Sequence, residues 1–154
     1  IARLAEGDFQ GAVAAMTQIL YMRGVTEADW SICAEARMGL GEYARAIADC
    51  DQALRLNDHL PKAWSMRGRA KLLTGDFAGA DGDLSEALRL CPTQYQDYCH
   101  RARARVRHGD NAGALYDCNE AIRNDPRYVD AFCVRAEARI SRSDHEGALR
   151  DCDR

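Results

Sequence analysis

Apolar residues in this chain recur at helical spacing, and the whole pattern then repeats as a block. Leu84, Ala87 and Leu88 stand three and four residues apart, as do Cys118, Ala121 and Ile122 thirty-four residues later. That spacing gathers each set on one stripe of an α-helix. Upstream of each stripe, a Pro-free stretch rich in Ala, Arg, Leu and Met separates an aromatic residue from a Gly, which is room for about three helical turns. The pattern predicts helices over 27–40, 43–56, 61–73, 77–90, 95–107, 111–124 and 129–141, with an incomplete half of a helix pair at each end. The turns between them are predicted from glycine, which ends a helix without a Cβ penalty, and from the acidic residue that follows, which suits the N-terminal dipole of the next helix.

Numbering the repeating unit from Pro61 to Gln94 makes the regularity explicit. Position 4 is Trp30, Trp64, Tyr98 and Phe132; position 15 is Gly7, Gly41, Gly75 and Gly109, with Ser143 the departure. Position 16 is Asp8, Glu42, Asp76, Asp110 or Asp144, and position 20 is Ala12, Ala46, Ala80, Ala114 and Ala148 without exception. Pro92 and Pro126 at position 32 close the second helix of a unit. The chain therefore reads as one array: a partial repeat at 1–26, complete repeats at 27–60, 61–94 and 95–128, and a partial repeat at 129–154. A single helix pair cannot bury its apolar stripe alone, so neighbouring pairs must stack.

Charges divide into those that repeat and those that do not. Position 11 is Arg3, Arg37, Lys71, Arg105 and Arg139; position 23 is Asp49, Asp83, Asp117 and Asp151; position 7 adds Arg67, Arg101 and Arg135. A feature present in every unit serves something every unit needs, so these are expected to be ion pairs between helices. Asp83 and Asp117 should accept hydrogen bonds from Arg67, Lys71, Arg101 or Arg105.

The aromatic at position 4, Gly or Ala at position 8 (Ala34, Gly68, Ala102, Ala136), the Gly-Asp-Phe type of turn, Ala at 20 and 27, and Pro at 32 together resemble the tetratricopeptide repeat (TPR) family over essentially the entire chain. The resemblance implies an all-α fold, a right-handed superhelix (α-solenoid) of stacked antiparallel helix pairs. It also implies a concave groove lined by the first helices that binds a protein or peptide, with no chemistry of its own. By the same resemblance, groove positions hold Lys62, Arg69, Gln96, His100, Arg103 and Arg107. These form a candidate partner-binding basic patch, flanked by Glu35, Asp130 and Glu137, that suits an acidic segment. The Asp-Cys pairs at 49–50, 117–118 and 151–152 look like second helices of co-chaperone arrays, including those fused to J-domains. The two-carboxylate clamp of co-chaperone members does not carry over. Its five positions hold Ser31, Glu35, Met66, Gln96 and His100 counted from Glu27, or Ser65, Arg69, His100, Asp130 and Val134 counted from Pro61.

Composition narrows the alternatives. A formal charge of −3 argues against a protein devoted to coating phosphate backbones, leaving RNA or another anion bound by the Arg/His patch as the alternative function. A regulatory segment of an enzyme is a further one. Seven cysteines without a Cys-x-x-Cys pair read as small core residues in a reducing, cytoplasmic setting rather than a disulfide frame. No apolar run is long enough to span a bilayer, and the N-terminus lacks a signal-peptide layout. His59, His100, His108 and His145 have no metalloprotease spacing, Asp81-Gly82-Asp83 lacks the other ligands of a calcium loop, and no nucleophile elbow or phosphate loop occurs. No catalytic activity, cofactor or metal is expected. The chain begins without Met and stops inside a second helix, so it is expected to be a piece of a larger multidomain protein. The cut should expose Ala148 and Cys152, and lead to further repeats or to end-to-end self-association.

Overall fold

The computed structural model describes residues 8–22 and 26–153; the repeat positions assigned to Arg3, Gly7 and Gly24 lie outside the described residues. These residues form α1 (Phe9–Met22), α2 (Glu27–Gly39), α3 (Tyr43–Leu56), α4 (Pro61–Thr74), α5 (Phe77–Leu90), α6 (Tyr95–His108), α7 (Asn111–Asn124), α8 (Val129–Ser141) and α9 (His145–Cys152). The helices expected from the sequence are all present, with ends displaced by at most one residue. Helix α2 stops at Gly39, and α4 and α6 each run one residue further than expected.

The turn inside each pair follows from two adjacent residues. Gly75 and Gly109 cap α4 and α6 in the left-handed conformation, and Ser143, standing where the other units have Gly, is also held at positive φ (64°). The next residue caps the second helix: Asp76, Asp110 and Asp144 each accept a hydrogen bond at 2.9 Å from the backbone N–H three residues on, at Gly79, Gly113 and Gly147. A Cβ on any of those three glycines would lie within about 2.2 Å of the capping carboxylate, so the cap requires Asp-x-x-Gly as a unit. In the second copy Arg45 replaces that Gly, and Glu42 caps nothing; it pairs instead with Arg45 at 3.1 Å.

Each helix packs against its chain neighbours. In addition α2 touches α4, α4 touches α6 and α6 touches α8, whereas among the described residues no two second helices (α1, α3, α5, α7, α9) pack to a similar extent. First helices thus crowd one face and second helices splay on the other, which curves the stack into a solenoid. Position-20 alanines 46, 80 and 114 are fully buried between the two helices of a pair. Ala148 is buried as well, at 4% exposure, contrary to the expectation that the last turn would leave it open; its helix packs on α8. Cys152 is exposed as expected, together with Cys133, Val129 and Leu149 on the same terminal unit. All seven thiols are free, and Cys33, Cys50, Cys99 and Cys118 are buried, where desolvation raises Cys33 and Cys99 to about 11 and Cys50 to about 12.

The repeating charges form a spine between the helices. Arg67 forks onto Asp83 (2.8 and 2.7 Å), Arg101 onto Asp117 (2.9 and 2.7 Å) and Arg135 onto Asp151 (2.9 and 2.5 Å). Lys71, Arg105 and Arg139 join the same carboxylates at 2.9, 2.9 and 2.7 Å, and Arg37 pairs with Asp49. The position-7 guanidinium also reaches position 25 of the preceding unit: Asp51 at 2.6 Å, Ser85 at 3.0 Å and Asn119 at 2.7 Å. Each lies over the position-4 aromatic of its own helix, 4.6 Å from Trp64, 5.7 Å from Tyr98 and 5.2 Å from Phe132.

Position 8 meets position 24 where the two helices cross, and side-chain sizes there are matched. Ala34 packs with Cys50 and Ala102 lies in one cluster with Cys118, but in the middle unit the pair is Gly68 and Leu84. A Cβ on Gly68 would stand 2.7 Å from Leu84 Cγ and 3.3 Å from the Ala80 carbonyl oxygen. Gly68→Ala is therefore expected to destabilise the array by about 1–3 kcal/mol despite its better helix propensity. Adding Leu84→Cys, which restores the pairing of the other units, should recover part of the loss. Urea unfolding of the four proteins of this cycle measures the coupling; strictly additive effects would show that the two side chains do not compete for one space.

Candidate partner-binding groove

The crowded face of first helices carries a continuous trough. Its largest part, about 710 Å³, is lined by Arg69, Leu72, Leu73 and Phe77 and, across from them, by His100, Arg103, Arg107 and Glu137. Arg69 and His100 lead into a second, polar part of about 440 Å³ that adds Lys62, Ser65, Gln94, Gln96 and Asp97. Lys62, Ser65 and Arg69 also border a third part of about 460 Å³ reaching Glu35, Met38 and Phe9. All six residues singled out from the sequence, Lys62, Arg69, Gln96, His100, Arg103 and Arg107, line this one trough.

Their charges are not equivalent. Lys62 Nζ is held by Glu35 at 2.7 Å. His100, counted from its position into a basic patch, is neutral at pH 7: burial lowers its pKa to about 4, reinforced by the positive charges of Arg69 and Arg103. The free positive charge of the trough therefore comes from Arg69, Arg103 and Arg107. Among the described residues none of the three has an ion-pair partner within 4 Å; Arg107 lies 5.3 Å over the Phe77 ring. By contrast, every described basic residue at positions 7 and 11 is engaged by an Asp. Leu73, 56% exposed, and Phe77 supply apolar surface beside these guanidiniums.

One groove residue was not legible from the pattern. Asp97, in the first turn of α6, is only 6% exposed and accepts a 2.5 Å hydrogen bond at Oδ1 from Ser65 Oγ of α4. Burial raises its pKa, partly offset by the Ser65 hydrogen bond and the charge of Arg69. A first-turn acid reads as a dipole partner, and Asp29 at the same repeat position is one, closing a capping box with Thr26. The distinguishing signal was the neighbouring copies, which have Ala63 and Ala131 there. No group of three or more His, Cys, Asp or Glu among the described residues is placed to hold a metal, and no helix among them is long and apolar enough to cross a membrane.

A curved stack of 34-residue helical hairpins with an open inner trough defines the class of α-solenoid interaction repeats. Residues 33–95 match the tetratricopeptide repeat family profile, and the same 34-residue register continues to both sides; the fold is an all-α, right-handed superhelix of the TPR type. Its fold is similar to that of MamA, with 18% identity, a TM-score of 0.89, and 97% of this chain and 88% of that chain covered. MamA from residue 41 onward, from Desulfovibrio magneticus RS-1, is 17% identical with a TM-score of 0.92, covering 99% of this chain and 86% of that one. The first TPR of Spaghetti (RPAP3), bound to the HSP90 peptide SRMEEVD, is 18% identical with a TM-score of 0.74, covering 77% of this chain and 94% of that one. At these identities the likeness is one of fold. No curated protein matches the chain in sequence. Stacked repeats of this kind present extended concave surfaces of the sort that bind proteins.

Because the folded pKa of Asp97 is raised above its unfolded value near 4, the folded state holds that proton more tightly. The stability linked to it is fully present below about pH 4 and is lost as pH rises through the folded value. Asp97→Asn has no proton to lose. Its melting temperature relative to the unsubstituted chain should therefore rise between pH 3.5 and pH 7, ending at or above it. A variant that melts well below the parent at pH 7 would identify the ionised carboxylate as a structural support instead.

Proposed function

We propose that the array holds an acidic peptide segment of a partner protein in its concave groove, as a single domain with complete repeats at 27–60, 61–94 and 95–128. In this reading it is part of a larger, co-chaperone-like cytoplasmic protein and has no catalytic role. The observation that carries the reading is the contrast between guanidiniums. Those between helices are neutralised by buried carboxylates, while Arg69, Arg103 and Arg107 stand unpaired around apolar Leu72, Leu73 and Phe77. Unpaired guanidiniums in a concave site fork readily onto carboxylates. Lys62, Gln96 and neutral His100 supply hydrogen-bond donors along the same trough. The structural neighbour bound to SRMEEVD, a peptide with three acidic residues, supports the ligand class.

The test uses fluorescein-labelled SRMEEVD as an acidic probe and fluorescence anisotropy as the readout. Arg103→Glu/Arg107→Glu is expected to weaken binding at least about tenfold, since each lost charge-assisted contact is worth about 1.5–3 kcal/mol. Its melting temperature should stay within a few degrees of the parent, because neither residue has a structural ion pair. Binding to the parent should persist at about 0.5 M salt through the apolar floor, unlike an RNA complex held by phosphate contacts. Equal binding by parent and variant would contradict the reading.

A further inference from the structure

The six buried aspartates of this chain are Asp29, Asp49, Asp83, Asp97, Asp117 and Asp151. Asp29 is in the capping box, and four others carry a Lys or Arg partner. Asp97 is different. It has no ion pair within 4 Å, its Oδ1 accepts from Ser65 Oγ, and its Oδ2 has no hydrogen-bond partner among the described residues. It lines the 440 Å³ polar part of the trough, with Ser65, Gln94, Gln96 and His100 around it. A carboxylate that is nine-tenths buried, without a cation, at the wall of an open cavity is a costly feature for a fold to keep, and a cation entering the cavity would satisfy it.

We propose that this part of the trough is a cation subsite, in which Asp97, set by Ser65, receives the guanidinium or ammonium of a basic ligand side chain. It rests on the peptide-binding reading above and makes the ligand bipolar: basic at one end, acidic at the other. The spacing follows from α6 itself. Arg103 lies six residues and Arg107 ten residues beyond Asp97, about 9 and 15 Å along the helix at 1.5 Å per residue. An extended peptide advances about 3.4 Å per residue, so the matching acidic residues stand about three to five positions from the basic one. Gln94 and Gln96 line the same part of the trough, at the basic end of that path. The charges facing the subsite are Arg69 from α4, which stays more than 4 Å from Asp97, and Lys62, which Glu35 neutralises. Glu137 on α8 lines the acid-binding part, and Asp130 on α8 acts electrostatically on His100, which borders both parts.

The experiment compares two acetylated probes by anisotropy: SRMEEVD, whose Arg precedes its acidic residues by two, three and five positions, and the same peptide with citrulline, an uncharged isostere, at that Arg. The intact chain should bind the Arg probe at least about fivefold more tightly. Asp97→Asn should remove that preference while still binding both probes, and Arg103→Glu/Arg107→Glu should weaken both and keep it. In NMR, the Asp97 carboxyl should titrate at lower pH with the Arg probe than with the citrulline probe. Equal binding of both probes to the intact chain would overturn the subsite, Arg69 then being the partner Asp97 recruits, and would leave the acidic-groove reading standing. Failure of both probes to bind would overturn the subsite together with that reading.

Discussion

Everything in this structure depends on a carboxylate that cannot reach water. Asp83, Asp117 and Asp151 sit between the two helices of their pairs, at most 6% exposed, where an unpaired charge would cost several kcal/mol. Each is satisfied by the forked guanidinium at position 7 and the base at position 11 of its first helix, so the relative placement of the two helices is fixed in both distance and rotation. Because the same guanidinium reaches position 25 of the preceding unit, one side chain sets both the hairpin and its stacking. Hydrophobic burial drives the stack together, but alanine-rich stripes would slide; the ion pairs give the stack its register.

The second copy shows the same constraint in its absence. Cys33 occupies position 7 there, so among the described residues Asp49 is left with Arg37 alone. Asp49 Oδ2 and Arg37 Nε are both buried without a partner, and burial raises the Asp49 pKa. Among the described residues Trp30 has no guanidinium above it as Trp64, Tyr98 and Phe132 do. The second copy thus lacks, among the described residues, the forked guanidinium that the later copies have, and the largest part of the trough lies over the third and fourth copies.

Most of the fold was legible because period and punctuation are local. Helical spacing, a Gly able to take positive φ and an acid after it determine where each helix starts and stops, whatever lies nearby. The Asp/Arg pairs were legible for another reason: repetition reports a contact without showing it. What repetition could not show is what changes between copies. Leu84 opposite Gly68, Asp97 opposite Ser65 and the neutral state of His100 all depend on which side chain happens to face which, and a single residue read along the chain carries no record of its opposite number. Ala148 likewise is buried although it stands in the last helix, whose packing partner is the other helix of its hairpin.

The most direct measurement of the spine is a double-mutant cycle at the best-buried pair, Arg101 and Asp117, by denaturant unfolding. Arg101→Met and Asp117→Leu should each cost about 3 kcal/mol alone, because the first leaves the buried Asp117 with Arg105 only and its Oδ1 unbonded, and the second leaves the Arg101 guanidinium with Ser85 only. Together they should cost less than the sum by more than about 2 kcal/mol, with Arg105 still held by Asp81 at 2.9 Å. Single substitutions that cost almost nothing, or effects that simply add, would mean that the hairpins keep their register without the charge pair, and the account would be wrong at its foundation.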